Sequence, residues 1–498
     1  PVGTVRFSTV DDVEKAAGGV ENWSAASASE RSVILNRVAD FYEQNAHEIF
    51  ALLMREAGKT LLDCVGELRE AVDFLRYYAT EAEVKDTQPV GIFTCISPWN
   101  FPLAIFTGQI SAALATGNGV LAKPAESTSL IADFAVSLLH QAGVPEDVLK
   151  LLPGTGVEVG SALTSNVNVD GICFTGSTGT AQHINRAMAK YLSPHAPLIA
   201  ETGGLNAMIV DSTALPEQAV RDILASAFQS AGQRCSALRV LYLQEDVAQN
   251  FLKMLYGAMD ELAVGDPCDF LTDVGPIIDV NAAGKIRAYI DLAKSQDRLL
   301  KQVSAPDHAT FIAPSVVSVS GIEQLEEEIF GPVLHVATYA SGDLDKVIDA
   351  VNAKGYGLTF GLHSRIDDRV QHIIDRVKAG NIYINRNQIG AVVGSQPFGG
   401  EGLSGTGPKA GGPRYLDRFM KTELRSAPDV DGAVVSAAAV EDAFAGLEAK
   451  ASKETPPREM PGPTGESNRY LTHPRGRVLC LGPGAEMAQE QAERARKI

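Results

Sequence analysis

The hydrophobic pattern divides the chain into a helical start and a longer region of alternating strands and helices. Apolar residues recur at helical spacing through residues 29–82, a stretch with no proline and only two glycines, which predicts long amphipathic helices. From residue 90 onward, short apolar runs are followed by Gly/Pro turns and then by helical segments. This alternation predicts a parallel sheet with helices on both faces, whose ligands bind beyond the carboxyl ends of the strands.

Two series of such units are expected. The first has strands at residues 90–96, 119–122, 148–152, 169–174 and 196–200 and helices at 103–114 and 125–141. The second has strands at 207–210, 238–243, 310–312, 333–338 and 381–384 and helices at 215–230 and 247–262. The pattern therefore predicts an α/β protein with a second α/β domain over residues 204–400.

The two ends of the chain follow other patterns. The chain opens on Pro1 rather than on Met, and residues 2–5 have the composition of a strand end. Near the other end, the pattern predicts a helix at 440–449, a Pro-rich linker at 454–463 and a last strand at 477–481. A single βα unit cannot bury its own apolar faces. We therefore expect a piece cut from a longer protein.

Composition and charge narrow the classes of function. Hydrophobic residues make up 45% of the chain and charged residues 21%, as in globular proteins. The net charge of −18 disfavours binding to nucleic acid or anionic membranes. No apolar run approaches the roughly 20 residues of a membrane span, and the first residues lack the features of a secretory signal. Six cysteines without a C-x-x-C pair predict free thiols in a reducing, cytoplasmic compartment.

Three polar residues suit the chemistry of a carbonyl group. Cys235 follows Arg234, and a neighbouring cation lowers the pKa of a thiol and favours the nucleophilic thiolate. Glu201 lies at a predicted strand end before two glycines, where a carboxylate could act as a general base on water. The amide of Asn100, between aromatic and proline residues, suits an oxyanion. Taken singly, a structural thiol, a solvated acid and an Asx turn explain them as well.

Other segments could bind a nucleotide. Lys123 and Glu126 follow a predicted strand, where they could hold ribose hydroxyls. A Gly-rich turn at residues 174–179 joins a strand to a helix, and the free N–H groups of such a helix start attract phosphate. Glu328 precedes Ile-Phe-Gly-Pro, and Phe398 lies within Pro-Phe-Gly-Gly. Ordinary turns and a helix stop explain each of these patterns when it is taken alone.

In their joint order, these motifs resemble those of the aldehyde dehydrogenase superfamily. Its motifs Ser-Pro-Trp-Asn-Phe-Pro, Lys-Pro-Ala-Glu, Phe-Thr-Gly-Ser, Glu-Thr-Gly-Gly, Gly-Gln-Arg-Cys, Glu-Ile-Phe-Gly-Pro and Pro-Phe-Gly-Gly occur in family order within residues 30–425. The resemblance implies the aldehyde dehydrogenase fold, a Rossmann-like NAD-binding domain plus an α/β catalytic domain. We accordingly expect the NAD-binding domain at 1–203, the catalytic domain at 204–400, a return to the NAD-binding domain at 401–430, and a linker with a truncated βα segment at 431–498.

Within this superfamily, the sequence resembles the L-glutamate γ-semialdehyde dehydrogenase (Δ1-pyrroline-5-carboxylate dehydrogenase) domain of the bacterial bifunctional proline utilization A family. The stretches that carry this resemblance are residues 55–60, 70–78, 102–109, 226–228, 231–240, 383–387, 402–412 and 461–468. Two departures stand out: residues 79–90 are short for the oligomerisation hairpin of the family, and Leu205 replaces a polar residue. The resemblance implies NAD-dependent oxidation of the semialdehyde to L-glutamate in proline catabolism.

The resemblance also implies the role of each site residue. Cys235 would attack the aldehyde, Asn100 would hold the oxyanion, and Glu201 would activate the water that hydrolyses the thioester. The expected NAD contacts are Ile96, Ser97, Pro98, Trp99, Lys123, Glu126, Gly156, Phe174, Thr175, Gly176, Ser177, Thr202, Gly203, Glu328 and Phe330. The expected substrate contacts are Arg234, Ser236, Gly390, Ala391 and Phe398. An acidic residue at Glu126 is expected to favour NAD over NADP, and no metal site is expected.

Two alternative functions stay open at this point. One is an NAD-dependent dehydrogenase of another aldehyde, such as a succinic or an aliphatic one. The other is a catalytically incompetent, scaffold-like fragment, against which the intact set of Cys235, Glu201 and Asn100 argues. The expected partners are a small amino-acid aldehyde, a second copy of the chain in a homodimer and, by resemblance, a fused proline dehydrogenase domain. No nucleic-acid partner is expected, and there is no direct membrane signal.

Overall fold

The computed structural model describes residues 2–85, 88–308, 310–421, 436–445, 456–473, 478–480 and 484–495. The chain forms two compact units, Pro1–Met420 and Lys421–Ile498. The first unit contains the two large β-sheets and the helices that cover them. Within the described residues, no helix has both the length and the hydropathy that crossing a bilayer requires.

Helices form the first part of the chain. They are α1 (Val10–Gly19), α2 (Ala28–Gln44), α3 (Ala46–Ala57) and α4 (Leu61–Glu83). Ser27 and Glu30 form a capping box at the start of α2, and Gly58, with a φ of 68°, ends α3. The helical prediction for residues 29–82 is confirmed. The predicted strand end at residues 2–5 is wrong, because this extended segment pairs with no strand of the described chain and leaves its valines exposed.

A five-stranded parallel sheet follows, in the order β3-β2-β1-β4-β5. Its strands are β1 (Ile92–Ile96), β2 (Gly119–Lys123), β3 (Leu149–Leu151), β4 (Gly171–Gly176) and β5 (Leu198–Thr202). Its helices are α5 (Ala104–Ala115), α6 (Ser129–Ala142), α7 (Ser161–Thr164) and α8 (Thr178–Tyr191). All five strand predictions are confirmed. The chain order reverses at β1, and the carboxyl ends beside such a reversal form the usual binding crevice of these sheets.

The second sheet has seven strands in the order β13-β12-β6-β7-β10-β9-β8, and only the β8–β9 pair is antiparallel. Its strands are β6 (Ala207–Val210), β7 (Val240–Gln244), β8 (Leu299–Gln302), β9 (Ser315–Ser318), β10 (Val333–Tyr339), β12 (Thr359–His363) and β13 (Asn381–Ile384). Its helices are α9 (Pro216–Phe228), α10 (Glu245–Met259), α11 (Val280–Ser295), α12 (Leu344–Ala353) and α13 (Asp367–Arg376). The short strands β11 (Tyr356–Gly357) and β14 (Glu401–Gly402) pair separately.

One strand of the second series was predicted in the wrong place. Residues 310–312 form no strand, and β9 starts three residues later, at Ser315. Thr310 instead makes paired bonds with Ile277, whose N–H donates to the Thr310 carbonyl at 3.1 Å. Pro314 lacks the N–H that a continuous ladder needs. Ile312 is nevertheless buried. The apolar run at residues 310–312 therefore indicates a buried segment and not a strand.

The change from the first sheet to the second lies between β5 and β6. The predicted domain boundary at residue 203/204 falls in this gap, and the division by function stays a prediction. The chain from residue 404 to residue 420 packs on the first sheet again. The N–H of Thr202 donates to the Ser404 carbonyl at 2.9 Å, and the rings of Phe93 and Phe419 lie 4.7 Å apart between centroids.

The second unit contains α14 (Ala437–Ala445), a hairpin of β15 (Arg458–Met460) and β16 (Asn468–Tyr470), and α15 (Gly484–Ala495). The helix predicted at 440–449 is found up to Ala445, and its last four residues lie outside the described residues. The linker predicted at 454–463 is wrong for residues 458–460, which form β15, while residues 454 and 455 lie outside the described residues. The predicted last strand is also wrong for its described residues 478–480, while 477 and 481 lie outside the described set.

Candidate active site

The segment that carries Cys235 leaves α9 through a strained turn. Ser230, Ala231 and Gly232 all have positive φ angles, of 55°, 54° and 66°. The left-handed conformation costs a non-glycine residue about 1–2 kcal/mol. Such strain persists only where the surroundings impose it, and it is concentrated at functional sites. The turn is followed by the half-buried thiol of Cys235, five residues before β7 begins at Val240.

Arg234 does not activate this thiol in the way the sequence suggested. Its Nη2 lies 2.8 Å from Asp63 Oδ1 on α4, its Nε donates to Ser230 Oγ at 3.0 Å, and its Nη1 donates to the Ile389 carbonyl at 3.4 Å. Burial, together with the carboxylates of Glu328, Glu201 and Glu70, raises the pKa of the Cys235 thiol to about 12. The expectation of a lowered thiol pKa is therefore wrong, because burial and these carboxylates act against the thiolate and the charge of Arg234 is paired with Asp63.

Asn100 lies directly beside the nucleophile segment. It follows β1 in the Ser-Pro-Trp-Asn turn, is buried, and donates from Nδ2 to the carbonyl of Gln233 at 3.0 Å. This bond holds the Asn100 amide at Gln233, which lies two residues before Cys235 in the chain. An amide has two N–H donors, so one of them can serve an oxyanion that forms at the thiol.

Glu201 lies in a cradle of glycines. Its Oε2 accepts a bond of 2.8 Å from the N–H of Gly400, and its buried Oε1 has no hydrogen-bond partner. A Cβ at Gly399 would lie 2.9 Å from Oε1, and a Cβ at Gly405 would lie 2.8 Å from Oε2. Burial raises the pKa of Glu201 to about 8, against the opposing effects of the Gly400 bond and of Lys409. The carboxyl group is thus poised to exchange protons near neutral pH.

The first sheet presents the predicted nucleotide residues at its carboxyl edge. Ser177 begins α8, and its Oγ accepts a bond from the Thr180 N–H at 3.2 Å. Lys123 is buried at the end of β2, its Nζ donating to the Pro124 carbonyl at 2.8 Å, and burial lowers its pKa. Glu126 Oε1 accepts a bond of 2.6 Å from the N–H of Gly156. The exposed helix N-terminus and the fixed carboxylate suit a pyrophosphate and a ribose.

The residues around these groups complete the predicted nucleotide site. Ile96 ends β1, and its carbonyl accepts a bond from Gln109 Nε2 at 3.4 Å. The same Gln109 amide donates to Thr175 Oγ1 at 3.1 Å, which ties β1 to the end of β4. The Ser97 hydroxyl is buried without a partner. Phe174 is buried, and a Cβ at Gly176 would lie 2.6 Å from its ring.

A second group joins the two sheets where the nicotinamide half would bind. The rings of Trp99 and Phe330 meet edge to face with centroids 5.7 Å apart. Glu328 is held by Arg239, and a Cβ at Gly203 would lie 2.2 Å from Glu328 Oε2. A side chain at position 203 would therefore displace the Glu328 carboxylate from its place at Arg239. A carboxylate and two aromatic rings at this place suit a ribose and a nicotinamide ring, as predicted for Glu328 and Phe330.

The predicted substrate residues include both chain neighbours of Cys235, and Arg234 bonds to the loop of Gly390 and Ala391 through the Ile389 carbonyl. Ser236 is buried, and its carbonyl accepts bonds from Thr359 Oγ1 and Gln388 Nε2 at 3.1 and 3.3 Å. A Cβ at Gly390 would lie 3.2 Å from the guanidinium of Arg386. Ala391 and Phe398 are half-buried, and Phe398 pairs with Ala410 through two backbone bonds.

Thr202 and Pro98 complete the predicted set. Thr202 Oγ1 donates to the Leu403 carbonyl at 2.6 Å and accepts from Thr178 Oγ1 at 3.3 Å. Pro98 is half-buried beside Trp99. Thr202 therefore ties β5 to the start of α8 and to the returning chain, so its hydroxyl orients the site rather than standing free.

Sequence reasoning missed three residues of this site: Asp63, Arg239 and Lys409. Asp63 shares one face of α4 with Glu67 and Glu70, a helical spacing of acids that could have signalled a buried polar face. Arg239 is a lone arginine in an apolar run that was predicted to be a buried strand, and a buried guanidinium needs partners. Lys409 follows the Gly-rich segment that contacts Glu201; burial lowers its pKa to about 8.

Comparison with known proteins supports this description. Residues 2–424 match the Aldehyde dehydrogenase family. The bifunctional protein PutA of Klebsiella aerogenes is 47% identical over 98% of this chain and 40% of that protein. The chain thus spans about two-fifths of the length of the first curated relatives that it matches.

Two crystal structures are similar to the first unit in fold and sequence. A proline utilization A of Bradyrhizobium japonicum superposes with a TM-score of 0.81 at 50% identity, covering 84% of this chain and 45% of that one. A 1-pyrroline-5-carboxylate dehydrogenase from Thermus, described with bound NAD, superposes with a TM-score of 0.78 at 32% identity, covering 83% and 85%. The fold, the motif order and these relatives agree, and the chain belongs to the aldehyde dehydrogenase family.

Proposed function

We propose that this chain oxidises L-glutamate γ-semialdehyde, formed from Δ1-pyrroline-5-carboxylate, to L-glutamate with NAD as the oxidant, in proline catabolism. The observation that carries the reaction type is the set of groups around Cys235: the amide of Asn100 fixed at Gln233 and the carboxyl of Glu201 in its glycine cradle. The relatives named 1-pyrroline-5-carboxylate dehydrogenase and PutA support the substrate.

In the proposed reaction, Cys235 Sγ bonds to the aldehyde carbon, and the thiol proton leaves to a base. The oxygen of the hemithioacetal lies at Asn100 Nδ2 and the Cys235 N–H, and one such donor contributes about 3–4 kcal/mol to transition-state stability. NAD supplies the acceptor for the hydride that the carbon loses. Water then attacks the thioester on Cys235, Glu201 takes the proton of the water, and the C–S bond breaks to release the carboxylic acid.

The proposed substrate pocket must hold a zwitterion. The Ser236 hydroxyl bonds to no other described residue, so it can donate to the α-carboxylate, as can the backbone N–H groups of Gly390 and Ala391. Arg234 reaches the same loop through the Ile389 carbonyl. We assign Arg234 the positioning of this loop, while Phe398 borders the carbon chain of the substrate.

The proposed choice of NAD over NADP rests on Glu126. Its carboxylate is fixed by the Gly156 N–H at 2.6 Å, and an acid at the adenosine ribose repels a 2′-phosphate. We further propose a homodimeric, cytoplasmic enzyme whose native chain carries a proline dehydrogenase half, as the length of the bifunctional relatives suggests. The reaction proposed at Cys235 does not depend on any of these assignments.

The test is the initial rate of NADH formation from Δ1-pyrroline-5-carboxylate and NAD⁺, with NADP⁺, propanal and succinic semialdehyde as comparisons. We expect kcat/KM to be highest for the first pair. A Cys235→Ala variant should lose turnover while it still binds NAD⁺, because the nucleophile is lost and the cofactor site is not. A higher kcat/KM for succinic semialdehyde or propanal would overturn the substrate. Undiminished NADH formation by Cys235→Ala would overturn the nucleophile.

A further inference from the structure

Hydrogen bonds within the second sheet hold the backbone of Arg239. Arg239 is fully buried and lies four residues after Cys235, immediately before β7. Its N–H donates to the Asn206 carbonyl at 2.9 Å, and its own carbonyl accepts from both the backbone N–H and the ring Nδ1 of His335, at 2.9 and 2.8 Å. The backbone of the residue is therefore anchored in the second sheet, and its side chain extends from this fixed point.

The guanidinium of Arg239 divides its donors between two separate segments. Nε and Nη2 both donate to Glu328 Oε1, at 3.0 and 2.9 Å. Nη1 donates to the carbonyls of Gly232 and Gly331 at 2.7 and 3.3 Å, and Nη2 also donates to the carbonyl of Arg234 at 3.1 Å. One planar cation thus bonds to the carboxylate of Glu328 and to two carbonyls of the nucleophile segment, residues 232–235.

The guanidinium also contacts the ring beside Glu328. Its Cζ lies 5.2 Å from the ring centroid of Phe330, whose edge contacts Trp99. Residues 232–235 and 326–330 belong to no helix or strand apart from the turn residue Gly232. No ladder bond joins the two segments directly, although the strands that follow them, β7 and β10, are paired. Among the described residues, the Arg239 side chain bonds to both segments.

We propose that Arg239 is a positioning residue that couples the carboxylate of Glu328 to the nucleophile segment, so that cofactor binding changes the reactivity of Cys235. The proposal rests on the proposed function, in which Glu328 holds the nicotinamide ribose. A buried guanidinium must keep its donors paired. When Glu328 shifts toward a ribose, the rigid fork turns with it and moves the carbonyls of Gly232 and Arg234, which lie three residues and one residue before Cys235.

Coupling of this kind is reciprocal and can be measured without turnover. The readout is the rate at which iodoacetamide alkylates Cys235, followed by mass spectrometry of its peptide, with and without saturating NAD⁺. The ratio of the two rates is the coupling. NAD⁺ affinity is measured separately by quenching of tryptophan fluorescence in the same protein.

The informative variant is Arg239→Lys, which keeps the charge but loses the planar fork. We expect this variant to bind NAD⁺ saturably. Its ratio of alkylation rates with and without NAD⁺ should come closer to one by a factor of about five or more, which is the scale of ordinary allosteric coupling. The matched control is Arg31→Lys, in which the lost guanidinium is equally buried but bonds to backbone carbonyls of Trp23, Ala26 and Ala115. It should keep the ratio of the parent chain.

A second variant, Glu328→Gln, covers the case in which Arg239→Lys does not fold. It removes the charge from the other side of the link, and its coupling ratio should also approach one. Folded variants that bind NAD⁺ and keep the parent ratio would overturn the proposal, as would a parent ratio of one. Failure of the parent chain to bind NAD⁺ would instead overturn the proposed cofactor, and this inference with it.

Discussion

At the residue scale, the chemistry depends on groups whose ionisation burial has shifted. The thiol of Cys235 has a pKa raised to about 12, and the carboxyl of Glu201 has a pKa raised to about 8. Both shifts follow from removing the charged form from water, and in the thiol three carboxylates add to the effect. Both groups are therefore largely neutral at pH 7, and an added positive charge near Cys235 would favour its thiolate.

The first prediction concerns Glu201→Gln. Hydride loss from the hemithioacetal needs no base at Glu201, whereas hydrolysis of the thioester does, so we expect one rapid equivalent of NADH per site and then a steady rate lower by roughly 10²–10⁴-fold. In the parent chain, kcat should rise with pH through about 8, because only the carboxylate accepts a proton. Rapid mixing and a pH profile of kcat measure both.

The control for this prediction is Cys235→Ser, which should show no rapid phase. A Glu201→Gln variant without a burst would assign Glu201 to activation of the thiol instead.

The free energy of unfolding depends on pH in the opposite direction to kcat. Because the folded pKa lies above the unfolded value, the contribution of Glu201 to stability is complete below about pH 4.5 and is lost as pH rises through about 8.

At the element scale, side chains from other elements complete the helix ends that the site depends on. Helix α6, which follows the Lys123–Glu126 turn, has no cap from its own Thr128. Glu56 of α3 supplies it: its Oε1 and Oε2 accept bonds from the N–H groups of Leu130 and Ile131 at 2.8 and 2.9 Å. This cap holds the start of α6 beside the predicted ribose contacts.

We expect Glu56→Gln to lower the free energy of unfolding by about 1 kcal/mol, the usual worth of an N-terminal cap. The side-chain amide of the variant keeps one oxygen that can accept a bond, but its NH₂ group faces the other of the two backbone N–H donors. The control is Glu48→Gln, an exposed acid on the same helix, which should change stability by less than about 0.5 kcal/mol. Urea unfolding measures both, and equal midpoints for the two variants would contradict the capping role.

At the scale of the whole molecule, the site forms where the two sheets of the first unit meet. The first sheet contributes Asn100, Glu201 and the start of α8, and the second contributes Cys235 and the segment of Glu328. A ligand that contacts both sheets binds the folded chain and not the unfolded one. Its binding free energy therefore adds to the stability of the fold.

We expect NAD⁺ at about one hundred times its Kd to add about 2.7 kcal/mol to the stability of the chain. NADP⁺ at the same concentration should add less, because the fixed Glu126 carboxylate repels its 2′-phosphate. Thermal unfolding with each cofactor measures the difference, and a Glu126→Gln variant should narrow it. Equal shifts in Tm for the two cofactors in the parent chain would contradict the role of Glu126.

The sequence by itself determined the alternation of strands and helices and the order of the motifs. Buried parallel strands are continuous apolar runs, and motifs such as Gly-Gln-Arg-Cys are local, so both can be read along the chain. The free thiols were also predicted correctly: all six cysteines are unpaired, three of them buried. The strand expected at 310–312 failed because an apolar run records burial and not hydrogen bonding.

Only the tertiary structure decided how the charges of the site are paired. Asp63 is more than 160 positions from Arg234, and Glu328 is almost 90 positions from Arg239. The sequence therefore suggested an activated thiol beside a free arginine, whereas the fold brings a carboxylate to each of these two arginines. The sign of a pKa shift depends on distance and burial, and these quantities exist only after the chain has folded.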